Sequence, residues 1–296
     1  MSNRRFIPGE RHHWWPISVS SGWAGSDGWI GRVDTEEKVT YSVPAKTARI
    51  SDGHNIKLNS PWDTTVEGEF DRADSVFRDV INRLRCVSDL HAAADEDSSG
   101  FCSHHINDRD LDAVVHCIVS LIVRSPRFRY LALDLIEDVW GHVPKEKRKF
   151  MIAANIGQTF IGLKRNLSGR GKFLLLRSRI GEFIFGDGFY NNVNIGSAYL
   201  SNARILAPLD PDLAVLYVSP IEYNLYPKVV SLEVGEGLLR LVNETTQAYS
   251  RDYLFFRSEQ PALIDAFRQG EYLEYVGSDP IKGLAHTIPG IVQSSG

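Results

Sequence analysis

The chain has 296 residues, 43% hydrophobic and 24% charged, with a net charge of −4. That is enough apolar chain for a full core, and the slight acidic excess provides no global basic field for nucleic acid, although a local basic patch stays open. Apolar runs such as 114–123 are too short and too interrupted to span a bilayer, and residues 1–5 are not followed by the apolar stretch of a secretory signal. The cysteines, Cys86, Cys102 and Cys117, are an odd number that suits a reducing cytosol better than a disulfide framework. A cytoplasmic protein with no membrane partner is expected.

The chain opens on a strand-rich region, residues 5–60. Four of the six tryptophans (Trp14, Trp15, Trp23 and Trp29) lie here, and so many large aromatics predict a terminus folded into the body of the protein. Residues 17–60 read as short strands joined by tight turns, with Ser26-Asp27-Gly28 and Asp52-Gly53-His54-Asn55 as turns. A helical region follows over 63–165. Phe70, Ala73, Phe77, Val80, Ile81 and Leu84 share one helix face. Residues 94–107 read as a loop, and Asn107 or Asp108 caps a helix with Leu111, Val114, Val115, Ile118, Leu121 and Ile122 on its core face. Pro126 breaks that helix, and two more are expected, over 126–140 and 144–163.

Strands return over 172–258. Candidates are 173–176, 182–185, 205–207, 214–218 and 253–256, with a helix over 232–248 and a tail over 259–296. Strands, helices, then strands predict one α+β domain over 1–296. Its N- and C-terminal strands would form a mixed or antiparallel sheet packed against the central helical block.

Several residues could carry chemistry. His12 and His13 are adjacent on an extended segment, so they point to opposite faces and only one enters any given site. Glu67, Asp71 and Asp74 stand at i, i+4 and i+7, a row that suits a hard metal ion, a general base, or a solvated face with an Asp74–Arg78 pair. Asp187 sits between two glycines at a strand end, where backbone can approach a ligand closely. Arg124, Arg127 and Arg129 flank Pro126 and suit phosphate or carboxylate recognition, or salt bridges to Asp134, Glu137 and Asp138. The cysteines and histidines between 86 and 117 lack metal-binding spacing, so zinc is not the expected ion of this protein.

In its order of landmarks the chain resembles the bacterial domain-of-unknown-function family DUF4238. The landmarks are His12-His13-Trp14-Trp15-Pro16 leading to Asp27-Gly28, the acidic helix with Glu67 and Asp74, and Arg124-Ser125-Pro126-Arg127-Phe128-Arg129. Phe185-Gly186-Asp187-Gly188 and Pro208-Leu209-Asp210-Pro211-Asp212 complete the order, with Leu241-Val242-Asn243 beyond. Gly186 stands where the family usually has serine, and no proline follows Asp187 at the expected place. The resemblance implies the fold and singles out Glu67, but it implies no reaction.

His, acid and Arg residues together are the set that phosphoryl chemistry needs. The expected function is a metal-dependent phosphodiesterase or nuclease-like hydrolase acting on nucleic acid or a nucleotide. His12 or His13 would be general base or ligand, Glu67 and Asp187 would hold Mg²⁺ or Mn²⁺, and Arg124 and Arg129 would bind phosphate. The alternative is a non-catalytic component of a stress or phage-defence assembly, which would bind another protein through an exposed patch of Trp14, Trp15 and Trp23.

Overall fold

The computed structural model describes residues 6–57, 63–89, 100–193 and 202–292. Residues 1–5 and the acidic part of the 94–107 segment lie outside them.

The N-terminal region is built from two-residue to four-residue strands. β1 (Arg11–His13) pairs antiparallel with β4 (Arg49–Ser51), setting His12 opposite Ile50. Between them β2 (Ile30–Val33) and β3 (Val39–Ser42) form the expected antiparallel pair. One stretch differs from expectation: α1 (Ile17–Ser20) and a 3-10 turn (Ser21–Trp23) replace strand. The turns place Val19 and Trp23, four residues apart, on one buried face. β5 (Asn55–Ile56) and β6 (Thr64–Thr65) pair and lead into α2 (Glu67–Asp89).

α2 buries the apolar face the sequence predicts. β7 (Cys102–His104) is a strand where a loop was expected. Asn107 caps α3 (Asp108–Arg124), its side chain accepting from the Asp110 amide at 2.9 Å. The Ser125-Pro126 break holds: Ser125 caps α4 (Pro126–Trp140), and α5 (Lys145–Leu167) follows.

β8 (Lys172–Arg177), β9 (Phe185–Gly186), β10 (Ala203–Asp210) and β11 (Leu213–Ser219) come next. The expected helix from 232 begins later, because β12 (Val229–Glu233) is a strand lying parallel to β8, and α6 (Glu236–Ala248) starts after it. β13 (Leu254–Phe256) is the last strand. Beyond 259 the chain is no extended tail: α7 (Asp265–Arg268) and α8 (Pro280–Thr287) bury Phe267, Ile281 and Ala285.

The strands make two principal sheets. One runs β10-β11-β8-β12-β7; the other runs β3-β2-β13-β9, so strands from both ends of the chain do meet in one sheet. Within the larger sheet, β8 is buried along its whole length. Phe173 and Leu175 face the helical block with Val215 and Tyr217, while Leu174 and Leu176 face α6 and α8 with Leu216 and Val218. Alternation along each strand thus feeds two cores from one sheet. Trp14, Trp15 and Trp23 belong to the first core and are at most 6% exposed, so they form no surface patch. No helix among the described residues is long and apolar enough to cross a membrane.

Candidate metal centre

The period-2 geometry of β1 separates the two histidines. His12 is buried and His13 is partly exposed on the other face. Both His13 nitrogens are engaged within the scaffold: Arg49 Nε donates to Nε2 at 3.2 Å, which puts the ring proton on Nδ1, 3.1 Å from the Thr47 carbonyl. Burial, then the Arg49 guanidinium, holds its pKa below the ordinary value. His13 therefore pins β1 and does not join the site.

Inward of β1, His12 meets a histidine that sequence reasoning placed only in a turn. The turn after β4 returns through Asp52, with φ at 55°, and Gly53. Its shape is held by Asp52, whose amide donates to the Glu10 carbonyl at 2.8 Å and whose carboxylate accepts from the Gly9 amide at 2.7 Å. The next residue, His54, is fully buried, its ring 4.9 Å from that of His12 and 5.1 Å from that of Phe70. The His54 carbonyl accepts from the Val66 amide and the Thr65 hydroxyl, which ties it to the start of α2. Glu67 is the first residue of that helix, and its Oε2 is in direct contact with His54 Nδ1.

One donor atom from each of His12, His54 and Glu67 lies within 4.8 Å of the others. It is the one such grouping of His, Cys, Asp and Glu found among the described residues. Metal bonds of ~2.1 Å hold tetrahedral donors about 3.4 Å apart, so an ion would have to open the direct His54–Glu67 contact and draw in the wider separations. The centre has an inner and an outer side. The two imidazoles are closed off, whereas the Glu67 side chain is 13% exposed and that of Glu10 is 35% exposed. Glu10 Oε2 stands 3.4 Å from His12 Nε2 without a hydrogen bond. Desolvation lowers the His12 pKa, with Glu67 and Glu10 opposing, and its Nδ1 accepts from the His54 amide at 3.4 Å.

The expected arginines divide. All three guanidinium nitrogens of Arg124 are spent on structure. Nη1 donates to Asp74 Oδ1 at 2.7 Å and to Ser120 Oγ, while Nε and Nη2 donate to the His13 carbonyl. Its plane lies over Phe70. Asp74 therefore pairs with Arg124, and Arg78 pairs instead with Asp210 at 3.3 Å. Arg127 is also engaged, with Glu274 and the Leu273 carbonyl. None of the three takes the partners expected on α4. Arg129 donates Nη1 to the Gly53 carbonyl at 2.8 Å and Nε to the Arg124 carbonyl at 3.3 Å, but its buried Nη2 has no hydrogen-bond partner among the described residues. Burial, then the neighbouring Arg124 charge, pushes its pKa down to about 9, while Glu67 opposes.

Asp187 does not belong here. Its carboxylate is fully buried elsewhere and accepts from the Arg251 amide at 2.9 Å, the Asp252 amide at 3.1 Å and the Tyr272 hydroxyl at 2.9 Å. Desolvation raises its pKa to about 6 against those donors. The flanking glycines are explained by packing: a Cβ at Gly186 would overlap Ser250 Oγ, and one at Gly188 would overlap the Tyr249 carbonyl. Asp187 therefore holds the 251–252 backbone and the 272 segment together. The Cys/His region lies apart from this grouping. Cys86 is exposed, Cys102 and Cys117 are buried, and His104 Nε2 bonds Ser231 Oγ at 2.6 Å. His91 lies outside the described residues.

No protein-family model matches the chain, and neither a curated protein nor a solved structure matches it.

Proposed function

We propose that the chain is a metal-dependent hydrolase of phosphodiesters, with His12, His54 and Glu67 as the ligands of a divalent ion. The observation that carries this reading is the convergence of two imidazoles and a carboxylate on one partly open corner. Three protein ligands would leave positions for water and substrate, and an ion held there would supply Lewis-acid activation of both. The guanidinium of Arg129 borders the corner, which favours an anionic substrate such as nucleic acid or a nucleotide.

The donor set refines the choice of ion. Two imidazoles suit Mn²⁺ or Zn²⁺ better than Mg²⁺, which prefers oxygen ligands and retains its waters. The argument against zinc concerned the spacing of residues 86–117 and does not apply to these three ligands. Trp14, Trp15 and Trp23 are buried and so do not supply the exposed patch proposed for the non-catalytic alternative.

The test is metal content after loading with Mn²⁺ or Zn²⁺, measured beside cleavage of single- and double-stranded RNA and DNA. Wild type is expected to retain about one ion per chain and to cleave, and folded His54→Ala to do neither. A wild-type protein that retains no ion removes the proposal, and one that retains the ion without cleaving any of these substrates removes the phosphodiester assignment.

A further inference from the structure

We infer that Arg129 Nη2 and the ion held by His12, His54 and Glu67 together form a subsite for a phosphate oxyanion, and that Arg124 takes no part in binding it. The inference rests on the metal-centre reading and deepens it by naming the group that recognises the substrate.

Three observations carry it. First, Arg129 is fixed rather than swinging: two of its nitrogens are bound to backbone carbonyls of Gly53 and Arg124. Gly53 is the residue before His54, so the guanidinium is bolted to the same turn that presents a proposed metal ligand. A Cβ on Gly53 would come within 3.3 Å of Nη2 and 3.2 Å of Ile50, a tight fit that a larger residue could take only by moving one of them a few tenths of an ångström. Second, Nη2 is buried and has no hydrogen-bond partner among the described residues. A charged donor in that position is costly unless a ligand completes it.

Third, the charges around it are unbalanced. Arg124 has Asp74 as its counter-ion, whereas Arg129 forms no ion pair among the described residues. Its charge is felt at His12, as that of Glu67 is felt at Arg129, so the guanidinium shares the field of the centre. A divalent ion would stand between Arg129 and the carboxylates of Glu67 and Glu10, leaving the open Nη2 donor still without an acceptor among the described residues. A tetrahedral oxyanion, such as a phosphodiester or its product presents, would supply that acceptor and a group for the ion together.

The experiment titrates inorganic phosphate into metal-loaded wild type, Arg129→Gln and Arg129→Lys by calorimetry at fixed salt, with metal content measured on each sample. Wild type is expected to bind phosphate only when loaded. Arg129→Gln should keep its ion and bind phosphate roughly tenfold to a hundredfold more weakly, the loss of one charge-assisted hydrogen bond. Arg129→Lys, which keeps the charge without the fork, should fall between them and serves if the glutamine variant does not fold. Phosphate affinity within about twofold of wild type in a loaded variant overturns the inference and leaves the metal centre standing, as does loaded wild type that binds no phosphate. Wild type that takes up no ion overturns both.

Discussion

Glu67 and Asp187 are both carboxylates drawn into the fold, the first in part and the second completely, and their surroundings differ in kind. Asp187 is covered completely and receives three donors, two from backbone and one from Tyr272. Glu67 stands at the head of a helix, partly open to solvent, against a fully buried imidazole with a second imidazole and a guanidinium alongside. A buried carboxylate whose two oxygens are both met by fixed donors is a strut. One surrounded by metal-ligating groups, beside a guanidinium with an unused donor, has the composition of a site.

The largest expected effect lies at the Glu67 corner. His54→Ala or Glu67→Ala should lower metal affinity by at least about a hundredfold, more than is typical for loss of a supporting group around a metal, as read by competition with a chelator. Asp187→Ala, by contrast, should leave metal content unchanged. Stripping two amides and a hydroxyl of their buried acceptor should cost about 2–4 kcal/mol in urea unfolding. If instead the Asp187 variant loses its ion while still folded, the contrast between the two carboxylates fails.

Titration sharpens the same comparison. The folded Asp187 value of about 6 lies above its ordinary 3.8. Between those values the folded state keeps a proton that the unfolded chain has released. The contribution of this group to stability is therefore full below pH ~4, falls as pH rises through 6, and then levels off, a change of up to about 3 kcal/mol. Urea midpoints of wild type measured against Asp187→Asn from pH 4.5 to 7.5 should show wild type losing ground as pH rises. A difference that is flat or of opposite sign would show that the carboxylate is not held in a desolvating environment.

The smallest effect concerns the thiols. Cys86 is exposed, whereas burial pushes the Cys117 thiol well above its ordinary pKa. Alkylation of the native protein should label Cys86 alone and release no metal. Metal release on labelling would relocate the centre to the 86–117 region.

Much of this architecture was legible from periodicity. The apolar face of α2, the Asn107 cap and the Pro126 break follow from local chemistry, and so does the division between His12 and His13. What was illegible depends on distant partners. β12 is a strand because β8 lies parallel to it more than fifty residues earlier in sequence, and nothing within Val229–Glu233 announces that neighbour. His54 looked like part of an Asp-Gly-His-Asn turn, and only the β1–β4 register brings it to His12. Its one local signal was an aromatic titratable group directly after a turn glycine, thirteen residues ahead of Glu67. Asp187 misled in the opposite sense. Gly-Asp-Gly suggests backbone making room for a ligand, whereas the room is taken by Ser250 and Tyr249.

The pairing of β13 with β2 has a consequence for how the protein is made. Leu254 and Val33 are register partners separated by roughly 220 residues, and a ribosome adding about 5–20 residues per second needs ~10–40 s to supply the second after the first. Throughout that interval β2 presents an unfilled edge on the side that β13 will occupy, with the newly made tryptophans beside it. Until residues 254–256 are available, that edge has no β13 to pair with, so this sheet is completed late in synthesis.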